Sequence, residues 1–230
     1  MYERTIICLA NSKKPPSGRC VAGKEFEGER AGQWIRPVSA RETREVSEDE
    51  RQYEDGLKAQ LLDIIEITME KHEPSGHQIE NHVLAEDYYW EKSGVATWSQ
   101  IRALEDPYDA NFWMPATSTY HGLNDKVLPD TAAKINTSLK LIVIPHLQIY
   151  VRDESGYGGL PSRRRVRGRF TFHGVQYLLS VTDPDADEAY LQRGVGEYQI
   201  QNAVLCISLS EIWNGFSSRL IASVITQDMF

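Results

Sequence analysis

"GRCVAGKE" (Gly18–Glu25) is one residue short of a phosphate-binding loop. The pattern G-x-x-x-x-G-K-[ST] is met by Gly18, Gly23 and Lys24, but Glu25 stands where Ser or Thr should. Such a loop cradles phosphate with backbone N–H groups at the start of a helix, so the residues after Lys24 must be helical. They are not. "EFEGERAGQWIRP" holds Gly28, Gly32 and Pro37 within thirteen residues and has no 3.6-residue period. Glu25 would also set a carboxylate where a hydroxyl should meet magnesium. No apolar strand ends in the second carboxylate such a site needs: "LKLIVIP" ends in proline. The stretch therefore reads as a strand and its turn.

Working outward, most strong signals are short and β-like. Thr5–Ala10 is a compact apolar strand, and "KKPPSG" turns the chain into Arg19–Phe26. "EGERAG" turns it again, and Gln33–Val38 runs back. "LLDIIEITM" (Leu61–Met69) is a buried strand rich in β-branched residues. "SLKLIVIPHLQIYV" (Ser138–Val151) is a long one whose Pro145 implies an edge or a bulge. Arg163–Phe172 and Val175–Val181 flank "HG" as a hairpin, and "AVLCISL" and "RLIASVIT" complete the set. Helix signals are weaker: "TWSQIRALED" with Thr97 as N-cap, and a second within Ser47–Gln60. Many short strands with Gly/Pro turns argue for barrels or a sandwich. About nine strands suit two small five-stranded barrels, with the irregular stretch from Glu105 to Thr137 as the junction.

The chain has 230 residues, enough for one large or two small domains, and 41% of them are hydrophobic. No apolar run reaches the roughly 18 residues of a membrane helix. The run in "MYERTIICLA" is too brief for a signal peptide. Cys8, Cys20 and Cys206 lack metal-ligand spacing and read as free thiols of a cytoplasmic protein. Net charge is −8, which is unusual for a nucleic-acid binder. The charge is segregated, however. Glu42–Asp55 holds seven acids and two arginines, and "DPDADE" (Asp183–Glu188) four more acids. Asn11–Lys24 and Pro161–Ser180 are basic without a single acid.

"CLANSKKPPSGRCVAGKE", "GQWIRPVS", "HQIENHVL", "SVTDP" and "LCISLSEIWNGFSSRLIASVI" resemble the dual OB-containing domain family of prokaryotes, from Cys8 to Ile225. "ANSKK", "GRCVAGKE" and "WIRPVS" carry the resemblance most specifically. It implies two OB-like barrels and a role in nucleic-acid recognition within systems that counter invaders such as phage.

Two constellations bear on that expectation. In "RRRVRGRF", strand alternation sets Arg163, Arg165, Arg167 and Arg169 on one face. Val166 and Phe170 fall on the other, able to pack on a core. A row of guanidiniums about 6.6 Å apart, twice the strand rise, repels itself unless anions pair it. Phosphates suit, since Arg binds them bidentately. The chain's own acids, for example "DPDADE", suit as well, and edge arginines also block aggregation. The preceding loop offers Tyr157 to close over a strand or merely to connect. The second region is Lys13, Lys14 and Arg19 with Trp34 and Arg36, the last two sharing a strand face. OB folds stack bases on aromatics beside a basic groove; Trp34 could equally be core.

Other patterns carry less. His72, His77 and His82, five apart, fall on different faces of any regular element and make a poor metal site. Glu80 and Asp183 have no stated proximity, and Ser208 and Ser210 lack a nucleophile elbow.

The expectation is thus a mostly β chain. Two small OB-like five-stranded barrels are packed together, residues 1–115 with a helical insert and residues 116–230, with short helices in connections. It binds nucleic acid, single-stranded or an end, in the cytoplasm, without catalytic residues, metal or cofactor. The alternative is a small-nucleotide sensor or protein adaptor that signals to a separately encoded effector. A third is an unrecognised nuclease or nucleotide hydrolase.

Overall fold

The structure is a computed structural model that describes residues 1–107, 109, 112–156 and 161–230. The chain divides into two compact units: residues 1–104 with 136–138, and residues 105–135 with 139–230.

The first unit is a closed five-stranded barrel. Its strands are β1 (Tyr2–Lys14), β2 (Gly18–Glu25), β3 (Trp34–Val38), β4 (Asp63–His72) and β5 (Asn81–Leu84). They run in the order β1-β2-β3-β5-β4, and β1 also pairs with β4 to close the ring. All pairings are antiparallel except β3–β5. Closure removes the exposed edges that strands otherwise present. β6 (Glu91–Val95) adds to the far side of β4. Ile6, Cys8, Val21, Ile35, Ile65, Ile67, Met69 and Trp90 fill the interior.

"GRCVAGKE" is strand along its whole length, and residues 26–33 contain no helix. Gly18 and Gly23 are there because other groups come too close for a side chain. A Cβ on Gly23 would lie 2.1 Å from the Ile7 carbonyl oxygen, and one on Gly18 would lie 2.3 Å from Glu45 Cγ. Lys24 is buried and donates from Nζ to the Leu104 carbonyl at 2.6 Å. Leu104 is the C-cap of α1 (Trp98–Ala103), where a cation meets the negative end of the helix. Thr97 caps the other end in a reciprocal pair with Gln100, as its position suggested. The helix expected within Ser47–Gln60 does not form. Glu50 accepts from the Ser47 backbone N–H, and the stretch is held as turns by bridges from Gln52 to Lys58 and from Tyr53 to Trp90.

The second unit repeats the connectivity. β8 (Leu139–Glu154) pairs with β9 (Arg163–Phe172) and β11 (Gly196–Leu209). β10 (Val175–Val181) continues from β9 and lies parallel to β12 (Ser217–Ile225), which pairs with β11 and closes the ring. α3 (Pro184–Arg193) links the third strand of this ring to the fourth. β7 (Lys126–Val127) and α2 (Pro129–Ala132) precede the ring. The β9–β10 hairpin turns on His173 and Gly174, both at positive φ, as two-residue hairpin turns require. Pro145, which lacks an N–H, stands opposite the left-handed Asn202, and ladder pairing resumes on either side without a register shift. The other edge of β8 pairs with β9 only from Gln148 onward, so Pro145 has the open edge it needs.

Candidate nucleic-acid interface

β9 alternates as its sequence dictates. Val166, Gly168 and Phe170 are buried, the first and last inside the second barrel. Gly168 leaves no room for a side chain: a Cβ there would stand 2.4 Å from Ile221 Cδ1. Arg163, Arg165, Arg167 and Arg169 therefore project from the barrel together. The register across β8 adds Arg152 opposite Arg165 and Tyr150 opposite Arg167. Arg152 lies over the Tyr150 ring, 4.3 Å from its centroid. Among the described residues this outer face carries five arginines (152, 163, 165, 167, 169) against two carboxylates that bond to them.

Those carboxylates are Glu154 and Glu197. Glu154 accepts from Arg167 Nε and Nη2, and Glu197 accepts from Arg152 at 2.7 Å. Arg169 donates to Gln176 at 3.0 Å. Arg163 and Arg165 are exposed. Arg164, on the opposite side of the strand, pairs with Asp153 at 3.1 Å. So the acids bonded to Arg152, Arg164 and Arg167 sit on β8 and β11. Asp183 caps α3, accepting from Asp185 and Ala186 N–H and from Val224 N–H at 3.0 Å. Burial raises the Asp183 carboxyl against those bonds. Tyr157 lies outside the described residues.

The second sequence-derived region comes apart. Arg19 pairs across β1 with Lys13 at one end of β2, while Trp34 pairs with Lys24 near the other. Five residues of strand separate the two, about 17 Å. Arg19 is bound by Glu48 at 3.1 Å. Burial acts to raise the Glu48 carboxyl, but hydrogen bonds from Arg51, Lys58 and Arg19 overcome it and hold it at about 2. Lys13, Lys14 and Arg19 line a shallow recess around Pro15 and Pro16. Trp34 and Arg36 do share a face, opposite the core residue Ile35. Yet Arg36 is buried there. Its guanidinium lies 3.2 Å from Glu80 and donates to Ser138 Oγ at 2.9 Å, because the returning residues 136–138 cover that face.

The sequence reading missed three features. Arg152 and Tyr150 join the arginine face only through the β8–β9 register. Trp213, 73% exposed, stands in the loop between β11 and β12, the position from which OB barrels address oligonucleotides; the "SEIWNGF" turn around it was the available signal. His72 and His82 are direct cross-strand partners, although their spacing sets them apart on any single element.

A family model described as Dual OB-containing domain matches residues 4–224. No curated protein and no solved structure matches the chain.

Proposed function

The chain belongs to the dual OB-containing domain family, and we propose that it binds nucleic acid across the outer face of its second barrel. The observation that carries this reading is the outward row of arginines on β9, the second strand of an OB-like ring. OB folds bind oligonucleotides on the face of their second and third strands. Five arginines against Glu154 and Glu197 leave that face cationic on a chain of net charge −8. Local charge, not the sum, governs attraction of a polyanion. The exposed Trp213 offers a flat surface for a base. Unstacked bases need such surfaces, so the preferred ligand is a single strand or an end. The family resemblance implies a prokaryotic defence setting, to which we add a separately encoded effector as a partner and a cytoplasmic location. It fits cysteines of which, among the described residues, none is in a disulfide.

The test is salt-dependent binding of a single-stranded oligonucleotide, read by fluorescence anisotropy. Removing one arginine–phosphate pairing should lower the magnitude of the log K against log salt slope by about 0.7. Arg163→Gln and Arg165→Gln should each do so, additively, while Lys134→Gln, an exposed control, stays at the wild-type slope. Unchanged slopes in a folded double variant would remove this face from the site.

A further inference from the structure

The first barrel has an opening that the arginine face does not use. His72 and His82, joined by the β4–β5 register, lie with ring centroids 4.7 Å apart. Tyr2, at the start of β1, meets His82 edge-on at 5.8 Å and bonds its Nδ1 through Oη at 2.5 Å. His72 donates from Nε2 to the Ile79 carbonyl at 2.6 Å. These contacts fix one wall. Arg4 lies over the Tyr2 ring at 4.5 Å, Arg30 projects from the exposed loop between β2 and β3, and Trp34 faces the same space. Together they border a cleft of about 640 Å³. That is within the range of small-ligand sites, roughly 300–1,000 Å³.

The charges in this cleft are uneven. Glu80 borders it but is committed to Arg36 and Ser138. Arg4 has Glu25 at 3.5 Å, a loose pair. Among the described residues no carboxylate lies in ion-pair range of Arg30. Burial, then the nearby His72, Arg4 and Arg30, push the His82 imidazole down to about 4, so it is neutral at physiological pH. Burial is the main cause, and Arg4 and Arg30 act in the same direction because both guanidiniums stand near this ring. The cleft thus sets flat, partly apolar surfaces beside two guanidiniums. A bare anion would leave the aromatic wall unused, and a neutral ring would leave the arginines unmatched.

We propose that this cleft binds a nucleoside phosphate, with the phosphate on Arg4 and Arg30 and the base against Trp34 and the Tyr2–His82 wall. Guanidinium takes phosphate in a two-pronged hydrogen bond, and aromatic rings accept any base by stacking. The ligand is either a free nucleotide or the terminal nucleotide of a strand; the chemistry is shared. The proposal does not rest on the arginine face of the second barrel.

Calorimetric titration of the intact protein tests it. The probes are AMP, GMP, CMP and UMP, adenosine, inorganic phosphate, and a short oligonucleotide with and without a 5′-phosphate. At least one nucleoside monophosphate, or the 5′-phosphorylated strand over its unphosphorylated twin, should bind at least tenfold more tightly than adenosine or phosphate alone. Mononucleotide binding identifies a free nucleotide as the source, and discrimination by the terminal phosphate alone identifies a strand end. Arg30→Gln and Trp34→Ala should each weaken that binding at least tenfold. Arg30 is exposed, so its variant folds even if replacing Arg4 does not. Lys134→Gln, which lies in neither site, should leave it unchanged, and Arg163→Gln/Arg165→Gln should leave the ratio of phosphorylated to unphosphorylated strand binding unchanged, which separates this site from the other. Equal binding of phosphate and nucleotide, no binding of any probe at millimolar concentration, or binding indifferent to Arg30→Gln in a folded protein would each overturn the proposal.

Discussion

The Arg36 guanidinium and the Glu80 carboxylate lie 3.2 Å apart, each only 3% exposed, with Ser138 bonded to both. An ion pair this deep stabilises little against an apolar replacement, but half of it is costly to leave behind. Arg36→Met or Glu80→Leu alone should therefore lose about 3–5 kcal/mol in urea unfolding. The double variant should recover a large part of that. Additive losses in the double variant would show that the two do not act as a pair.

That pair also marks where sequence reading stops. Alternation along "WIRPV" correctly groups Trp34 with Arg36, since strand period is local. What covers a face is not local: residues 136–138, a hundred positions later, bury Arg36 and leave Trp34 at a cleft. The arginine face is the opposite case. Val166 and Phe170 declare their side of β9 core, so the outward set follows from the residues themselves. Its acids do not follow, because Glu154 and Glu197 arrive through strand register. "DPDADE" lies nearer in sequence to β9 than Glu197 does, yet its aspartate before proline caps a helix. The two five-stranded barrels are expected from strand density and the family resemblance, whereas parallel pairings such as β3–β5 and β10–β12 leave no mark of their own in the local sequence.

Arg219 is 1% exposed and makes no ion pair with a carboxylate among the described residues. It donates to the carbonyls of Phe112, Trp113 and Asn124 at 2.6–2.8 Å and sits among the Phe112, Trp113 and Tyr177 rings. Burial lowers its pKa to about 10, so it stays charged at neutral pH. Its task is to tie the segment before β7 to the second barrel. Arg219→Met should orphan those carbonyls and lose at least 3 kcal/mol, at about 1–3 kcal/mol per unsatisfied group. Arg219→Lys, with a point charge in place of a fork, should restore only part. Equal melting temperatures for Arg219→Met and wild type would refute this.

Two of the groups that shape the acid limb of stability act in different windows. The folded His82 imidazole takes its proton near 4, against an ordinary 6.5, mainly through burial. The unfolded chain binds that proton first, so this contribution is full above about 6.5 and is lost as pH falls toward 4. Glu48 acts lower: its folded carboxyl near 2, against an ordinary 4.5, keeps a charge the unfolded chain gives up, and that contribution is lost between about 4.5 and 2. Melting temperatures from pH 7.5 to 2.5 should fall in both windows. His82→Gln, which keeps an acceptor for Tyr2, should flatten the upper one alone. Glu48→Gln should make the fall in the lower one shallower without changing the upper one, Glu45 and Glu50 keeping their own share of it. An unchanged profile in either variant would discharge that residue.

The near-loop "GRCVAGKE" yields the last prediction, because each of its motif residues has a structural reason of its own. Gly23 sits opposite Cys8 where β1 shifts register, so close that a Cβ would lie 2.1 Å from the Ile7 carbonyl oxygen. Backbone cannot swing aside as a flexible side chain can. Gly23→Ala must therefore push β1 and β2 apart at the centre of the barrel, at the upper end of overpacking costs, about 3 kcal/mol. Gly28 is the control: its φ is +87° with nothing within 4 Å of a Cβ, so Gly28→Ala should cost only the left-handed backbone, about 1 kcal/mol. Lys24→Met should also lower stability, by freeing the Leu104 carbonyl at the end of α1. Urea unfolding of the three variants gives the order, and a coupled phosphate-release assay shows whether any ATP or GTP turnover exists to be lost. Gly23→Ala as mild as Gly28→Ala would refute the packing account. Magnesium-dependent hydrolysis that vanishes in a stably folded Lys24→Met would overturn the assignment of this stretch as strand alone.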